Sequence, residues 1–230
     1  MWASAKFWCL NRGKGARAVV KKNGDAGRVG QGYLSGMRRI LLFIALLVGA
    51  PAWAEKASLP DLSDYLNTIR TVEAPFTQIN ADGSRATGKV MIKRPGRIRF
   101  EYDPPFDDTL VLAGGGSVAV FDGHNQGDVF PLGRTPLNLI LARQIDLTRI
   151  KMVTGHGEQN GRTVVQAQDP EHPEYGRIYL YFDRAPLRLT EWLIISETGE
   201  QTRLQLGPLT ARDSLSDRLF SIRAEKERRN

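Results

Sequence analysis

The chain has 230 residues, 41% of them hydrophobic and 25% charged, with one cysteine and a net charge of +7. That composition is ordinary for a globular protein. The positive charge is concentrated at one end: residues 1–54 hold nine Lys or Arg against one Asp, while residues 55–230 hold 23 basic against 24 acidic residues, a net of −1. The bulk of the chain therefore lacks the uncompensated basic face that binding to phosphate backbones requires, and no nucleic-acid partner is expected.

Residues 1–36 are rich in Gly, Lys and Arg without an apolar period, and read either as sequence upstream of the true start or as a disordered basic tail. Residues 37–54, MRRILLFIALLVGAPAWA, have the layout of a secretory signal peptide: Arg38 and Arg39, an apolar core from Ile40 to Val48, then Ala52-Trp53-Ala54 ahead of Glu55. The apolar core is far shorter than the roughly 20 residues that cross a bilayer as a helix. Cleavage would also remove Cys9. Residues 55–230 are then expected to form one disulfide-free domain, held by its core, with no cysteine behind the signal to carry a lipid.

From Leu59 onward, Leu62, Tyr65, Leu66, Ile69 and Val72 recur at helical spacing and predict an amphipathic helix, with Pro60 and Asp61 suited to its first turn. After Pro75 the period changes to two. Strands are expected over 74–81, 86–93, 97–102, 109–112 and 117–121, separated by Asp82-Gly83-Ser84, Pro95-Gly96, Asp103-Pro104-Pro105 and Gly114-Gly115-Gly116. A short strand at 126–132 precedes Thr135-Pro136, a hydroxyl and a proline placed to open the apolar helix LNLILAR. Further strands are expected at 150–154, 163–168, 177–183, 187–197 and 201–206, before a last apolar patch at Leu219 and Ile222 and a charged tail.

About ten strands at hairpin spacing with two short helices predict a mainly β fold, a strongly curved antiparallel sheet or barrel. Ile98, Phe100 and Tyr102 alternate with Arg97, Arg99 and Glu101, and Ile178, Leu180 and Phe182 with Arg177, Tyr179 and Tyr181, so one face is oily and the other wet. Two short helices cover such a face incompletely, which leaves either a cavity for an apolar ligand or a filled β-core.

Catalytic chemistry finds little footing. His124, His156 and His172 sit in turn-like segments without metal-ligand spacing, and GGGSVAV has Ala119 where a nucleophile elbow needs Gly. Asp107-Asp108 and Glu171/Glu174 lack the apolar surroundings that raise a carboxyl pKa. No catalytic residue, metal or cofactor is expected.

Phe76-Thr77-Gln78, Gly88, Lys93-Arg94-Pro95-Gly96 followed by Ile98-Arg99-Phe100, Pro104, Leu110-Val111, Phe121-Asp122 and Thr135-Pro136-Leu137 together resemble, in order and spacing over residues 59–145, the LolA family of periplasmic outer-membrane lipoprotein carriers. The resemblance implies a half-open β-barrel with a short-helix lid over an apolar cavity, located in the periplasm. It implies acylated lipoproteins as cargo, an inner-membrane ABC lipoprotein-releasing transporter as donor, an outer-membrane acceptor, and a monomer. Arg94 takes the place of an arginine that bonds lid carbonyls and latches the cavity closed. Ile98, Phe100, Leu110 and Leu112 are expected on the cavity side, and Leu137, Ile140 and Leu141 in the lid. The sequence departs from the family where Ile98 and Phe100 replace bulkier aromatics and where the charged end lacks a proline-rich tail. A related half-barrel that binds or senses another envelope lipid is the alternative.

Overall fold

The computed structural model describes residues 56–123 and 125–230; the segment 1–36, the expected signal peptide at 37–54, and His124 lie outside the described residues. The first helix, α1 (Leu59–Thr68), is capped by Ser58, whose side chain accepts from the Asp61 amide, with Pro60 in the first turn and Asp61 at the positive end of the helix dipole. It buries Leu62, Ser63 and Leu66. The helical spacing does not carry through to Val72. The strand β1 (Thr71–Ile79) takes over there, with Val72, Ala74, Phe76 and Gln78 alternating inward. Pro75 is tolerated in mid-strand because β1 pairs with two short partners, and the ladder on that side is interrupted beside it.

Beyond β1 the strands are β2 (Arg85–Lys93), β3 (Arg97–Tyr102), β4 (Leu110–Gly114), β5 (Ser117–Asp122), β6 (Asn125–Pro131), β7 (Val153–Gln159), β8 (Arg162–Gln168), β9 (Arg177–Arg184), β10 (Leu187–Ile195), β11 (Gln201–Leu206) and β12 (Thr210–Ala211). Among the described residues they form one 12-stranded sheet in the order β6-β5-β4-β3-β2-β1-β11-β10-β9-β8-β7, with β12 beside β1. Neighbours run antiparallel, as short hairpin turns demand. The sheet curls, because residues of β1–β5 and of β8–β11 share one apolar cluster. It does not close: β6 and β7 are its edges. The chain joining those edges, residues 132–152, contributes a 3-10 turn (Leu132–Arg134) and α2 (Leu137–Leu141).

The expected strand at 150–154 starts later and runs longer, because Gly155-His156-Gly157, which reads as a turn, pairs with β8 across a register shift. His156 is thus a strand residue, and its Nε2 lies 2.8 Å from the Ala57 carbonyl oxygen. Thr135 does not cap α2. Its hydroxyl donates to the Leu132 carbonyl at 2.8 Å and closes the preceding 3-10 turn.

The convex face departs most from expectation, since the charged tail folds back onto it. A 3-10 turn (Asp217–Phe220) leads to α3 (Ile222–Arg229), capped by Ser221 through the Ala224 amide. Phe220 is buried with Met91, Leu110, Leu112, Ala119 and Phe121 in a second apolar cluster. Close docking requires glycine at 114, where a Cβ would stand 2.0 Å from the Phe220 carbonyl oxygen. Arg99, expected to be wet, is buried: it donates to Glu101 at 2.7 Å, to the Leu219 carbonyl at 3.0 Å and to Glu225 at 3.4 Å.

Glu225 sets a pH limit on this docking. Burial pushes its pKa up, but hydrogen bonds from Arg228 and Arg229 and the charge of Arg99 outweigh that and bring it from 4.5 to about 2. A carboxyl whose pKa is depressed by folding stabilises above its unfolded value and loses that contribution as pH falls through the folded one. We expect α3 to stay docked from neutrality to about pH 4.5 and to loosen progressively toward pH 2. Protease susceptibility of the C-terminal segment between those values checks this, and Glu225→Gln should show at neutral pH the loosening that acid causes in the wild type.

Candidate functional site

The concave face is lined by Ile98, Phe100, Phe76, Leu180, Phe182, Trp192 and their neighbours, and two separate stretches of chain cover it. One is α1. The other is α2 with the segment that follows, whose Leu137, Leu139, Ile140, Leu141, Ile145 and Leu147 are all 5% exposed or less. In a helix as short as α2, an almost wholly apolar sequence means that nearly every side is covered by protein, and only Asn138 faces outward. Leu137, Ile140 and Leu141 are buried in this covering layer.

Arg94 joins the two stretches. It sits at the end of the β2–β3 hairpin, where its own amide donates to the Arg70 carbonyl at 2.8 Å and the Gly96 amide to the Leu141 carbonyl at 2.8 Å. Its guanidinium donates to the Leu66 carbonyl, to the Ile69 carbonyl at 3.2 Å, to the Ala142 carbonyl through Nε at 2.9 Å and Nη2 at 2.6 Å, and to the Arg143 carbonyl at 3.3 Å. These carbonyls lie at or just beyond the C-terminal ends of α1 and α2, where helix carbonyls run short of intrahelical donors; that of Leu66 also accepts from the Ile69 amide at 3.2 Å. Neither helix has a basic residue in its own last turn, so Arg94 supplies the cation that both negative dipole ends favour. Its bonded partners are neutral oxygens rather than a carboxylate. Burial, and then the nearby Arg70, lower its pKa, yet a guanidinium keeps its proton in neutral water.

Sequence reasoning missed the polar seam between the two covering stretches. Asn67 accepts from Arg94 at 3.1 Å and from the Ile145 amide at 3.0 Å, and donates to the Ile145 carbonyl at 2.8 Å. Ser63 accepts from the Leu147 amide at 3.0 Å. Ser63 and Asn67 lie four apart on one flank of α1, beside its apolar stripe; that spacing is the signal that could have marked them. A third tie runs to the sheet, where the Leu189 amide donates to the Tyr65 hydroxyl at 3.0 Å next to a bulge in β10. Asn67→Ala should speed hydrogen exchange at the Ile145 amide by roughly tenfold or more, because that donor loses its partner. Unchanged exchange there would mean that the seam does not hold the two stretches together.

The cavity residues divide. Ile98 and Phe100 belong to the concave cluster, Ile98 opposite Ala113 and Phe100 opposite Val111. Leu110 and Leu112 do not: they stand opposite Glu101 and Arg99 and pack under Phe220 on the convex side. The expected placement of Leu110 and Leu112 in the cavity is therefore corrected. All five residues of β4 are buried, and apolarity on both faces removes the alternation that would have told them apart. A cavity of about 360 Å³ lies beside α1, bordered by Tyr65, Ile69, Val72, Leu189, Leu206 and Leu209.

Among the described residues no group of three or more His, Cys, Asp or Glu could hold a metal ion. No described helix is long and apolar enough to cross a membrane. An outer-membrane lipoprotein carrier protein of Coxiella burnetii is 26% identical over 184 residues, covering 75% of this chain and 86% of its own. The Methylococcus capsulatus carrier is 26% identical over 197 residues, covering 80% and 92%. Among solved structures, a LolA superfamily protein from Nitrosomonas europaea has a TM-score of 0.41 at 14% identity, over 72% of this chain and 98% of that one. The family model for the outer membrane lipoprotein carrier protein LolA matches residues 67–223, well over half of the sequence, and the chain belongs to that family.

Proposed function

We propose that the protein is a periplasmic chaperone that accepts acylated lipoproteins freed from the inner membrane by an ABC lipoprotein-releasing transporter, shields their acyl chains on the concave face, and yields them to an outer-membrane acceptor. It acts as a monomer and without a catalytic step. The observation that carries this reading is an oily concave face covered by two apolar stretches that one side chain, Arg94, bonds at once. Such a cover can leave as a unit. Withdrawing a buried leucine costs about 1.5–3 kcal/mol and each buried acyl CH2 returns about 0.8 kcal/mol, so two to four methylenes offset one leucine. Lid and lipid therefore compete for one surface at comparable strength. That keeps net affinity moderate and lets a tighter acceptor take the load.

The purified protein, added to spheroplasts, is expected to release outer-membrane-type lipoproteins into the soluble fraction as a stoichiometric complex with itself. No release from spheroplasts that respond to a known carrier overturns the reading. A free lipid found bound to the protein in that case would assign it instead to half-barrels that bind or sense another envelope lipid.

A further inference from the structure

Within the concave face one polar atom stands apart. Trp192 on β10 has no solvent exposure, and its Nε1 is the buried side-chain nitrogen or oxygen left without a hydrogen-bond partner among the described residues. Its strand neighbours are Leu180 on β9 and Leu204 on β11, and the Phe100 ring meets it edge to face at 6.2 Å. The other polar groups turned inward are already engaged. Gln78 accepts from the Tyr102 hydroxyl at 2.8 Å and donates to Asn80 at 2.7 Å, and Thr163 accepts from the Ala57 amide at 2.8 Å. A buried water settles where it finds two to four polar partners, and apolar neighbours of this kind do not provide them. The bulge between Leu189 and Glu191 lies just ahead of the indole; bulges re-aim the side chains beside them and recur next to functional sites.

A buried donor left unsatisfied destabilises the closed form, so the site gains from a ligand that supplies an acceptor. Indole Nε1–H can only donate. A hydrocarbon chain has no acceptor, whereas the carbonyl oxygen of an acyl ester accepts, donates nothing, and arrives attached to the chain that the apolar wall holds. We propose that Trp192 is the point at which the concave face reads an acyl ester: its indole N–H donates to an ester carbonyl oxygen of the bound lipid, fixing the depth at which the chains seat. The proposal rests on the lipid-carrier reading above and adds a donor to what would otherwise be an undiscriminating oily surface.

The test compares binding of a diacylglyceryl-modified cysteine peptide with that of its dialkyl ether analogue, equal in chain length and lacking both carbonyls. Wild-type protein is expected to bind the diester about tenfold more tightly, the worth of one well-made buried hydrogen bond. Trp192→Phe, which keeps an aromatic body and removes the donor, is expected to bind the two equally. In the wild type the Trp192 indole proton resonance should move downfield with the diester and not with the diether. Equal wild-type affinities, a preference that survives in Trp192→Phe, or an indole resonance indifferent to the carbonyl each overturn the proposal and leave the carrier reading standing. Binding of neither peptide overturns both. Should Trp192→Phe not fold, the wild-type affinities and the resonance decide.

Discussion

Arg94→Leu is expected to keep the β-sheet and to take up lipoprotein, but to pass it on roughly a hundredfold more slowly than the wild type. The guanidinium caps the C-terminal carbonyls of α1 and α2 together. Hydrogen bonds to a charged group are worth about 1.5–3 kcal/mol each, but the group is half-buried, so water recovers much of that when the lid lifts. A net loss of about 3 kcal/mol follows for the closed arrangement, or two powers of ten in the open-to-closed ratio. With the competing lid weakened, lipid stays longer on the concave face and hand-over slows. Arg94→Lys should fall between the two, since an ammonium has no planar fork with which to reach both helix ends. The measurement is the rate at which preformed protein–lipoprotein complex transfers its cargo to outer membranes. A wild-type rate in Arg94→Leu would remove the latch.

Ile98→Ala and Leu112→Ala should destabilise the protein alike, by about 2–4 kcal/mol, and differ in everything else. Both side chains have no exposure, and they stand on adjacent strands with the sheet between them. Removing Ile98 enlarges the surface offered to acyl chains and should change lipoprotein retention. Removing Leu112 leaves a void under Phe220, and is expected to free α3 while uptake per folded molecule stays at the wild-type value. Denaturant titration alongside an uptake assay separates the effects, and equal changes in uptake would mean that the two faces are not functionally distinct. Ile98→Glu is a blunter probe: an unpaired carboxylate at a fully buried position costs the fold itself several kcal/mol, so its lipid defect would not be separable from its instability.

The sequence was most legible where one face of a strand is oily and the other is not. β3 was bounded correctly at both ends because Ile98, Phe100 and Tyr102 alternate with charge and Pro95-Gly96 marks the turn before them. β4 carried no such contrast, and which of its residues face inward is decided by its pairing with β3 across the 103–109 loop, which local pattern does not encode. The tail was illegible for a different reason. The sequence IRAEKERR has no apolar stripe, and its docking depends on Phe220 and on the pairing of Glu225 with Arg99, a partner 126 residues away. Around the covering layer, Arg94 was marked by the resemblance to the LolA family and the residues of α2 by their hydropathy. Asn67 and Ser63 did not, because an amide and a hydroxyl on a helix flank look like ordinary surface until the second stretch of chain is laid beside them.

The sheet is open, and the two edges that this leaves raise a problem of solubility. Unpaired strand edges invite other copies to add on, the route to fibrous aggregates. Among the described residues β6 and β7 are the edge strands, and both are poor templates. Each carries a register shift against its only neighbour, at Val120/Asp122 for β6 and at Val153/Gly155 for β7. Gly127, Asp128 and Pro131 in one and Gly155, Gly157 and Glu158 in the other are residues that pair weakly or kink the ladder. The openness of the sheet is thereby kept from polymerising the protein. Smoothing either edge, for instance with valine at 155 and 157, should yield a protein that still folds and that accumulates as β-rich aggregate as its concentration rises.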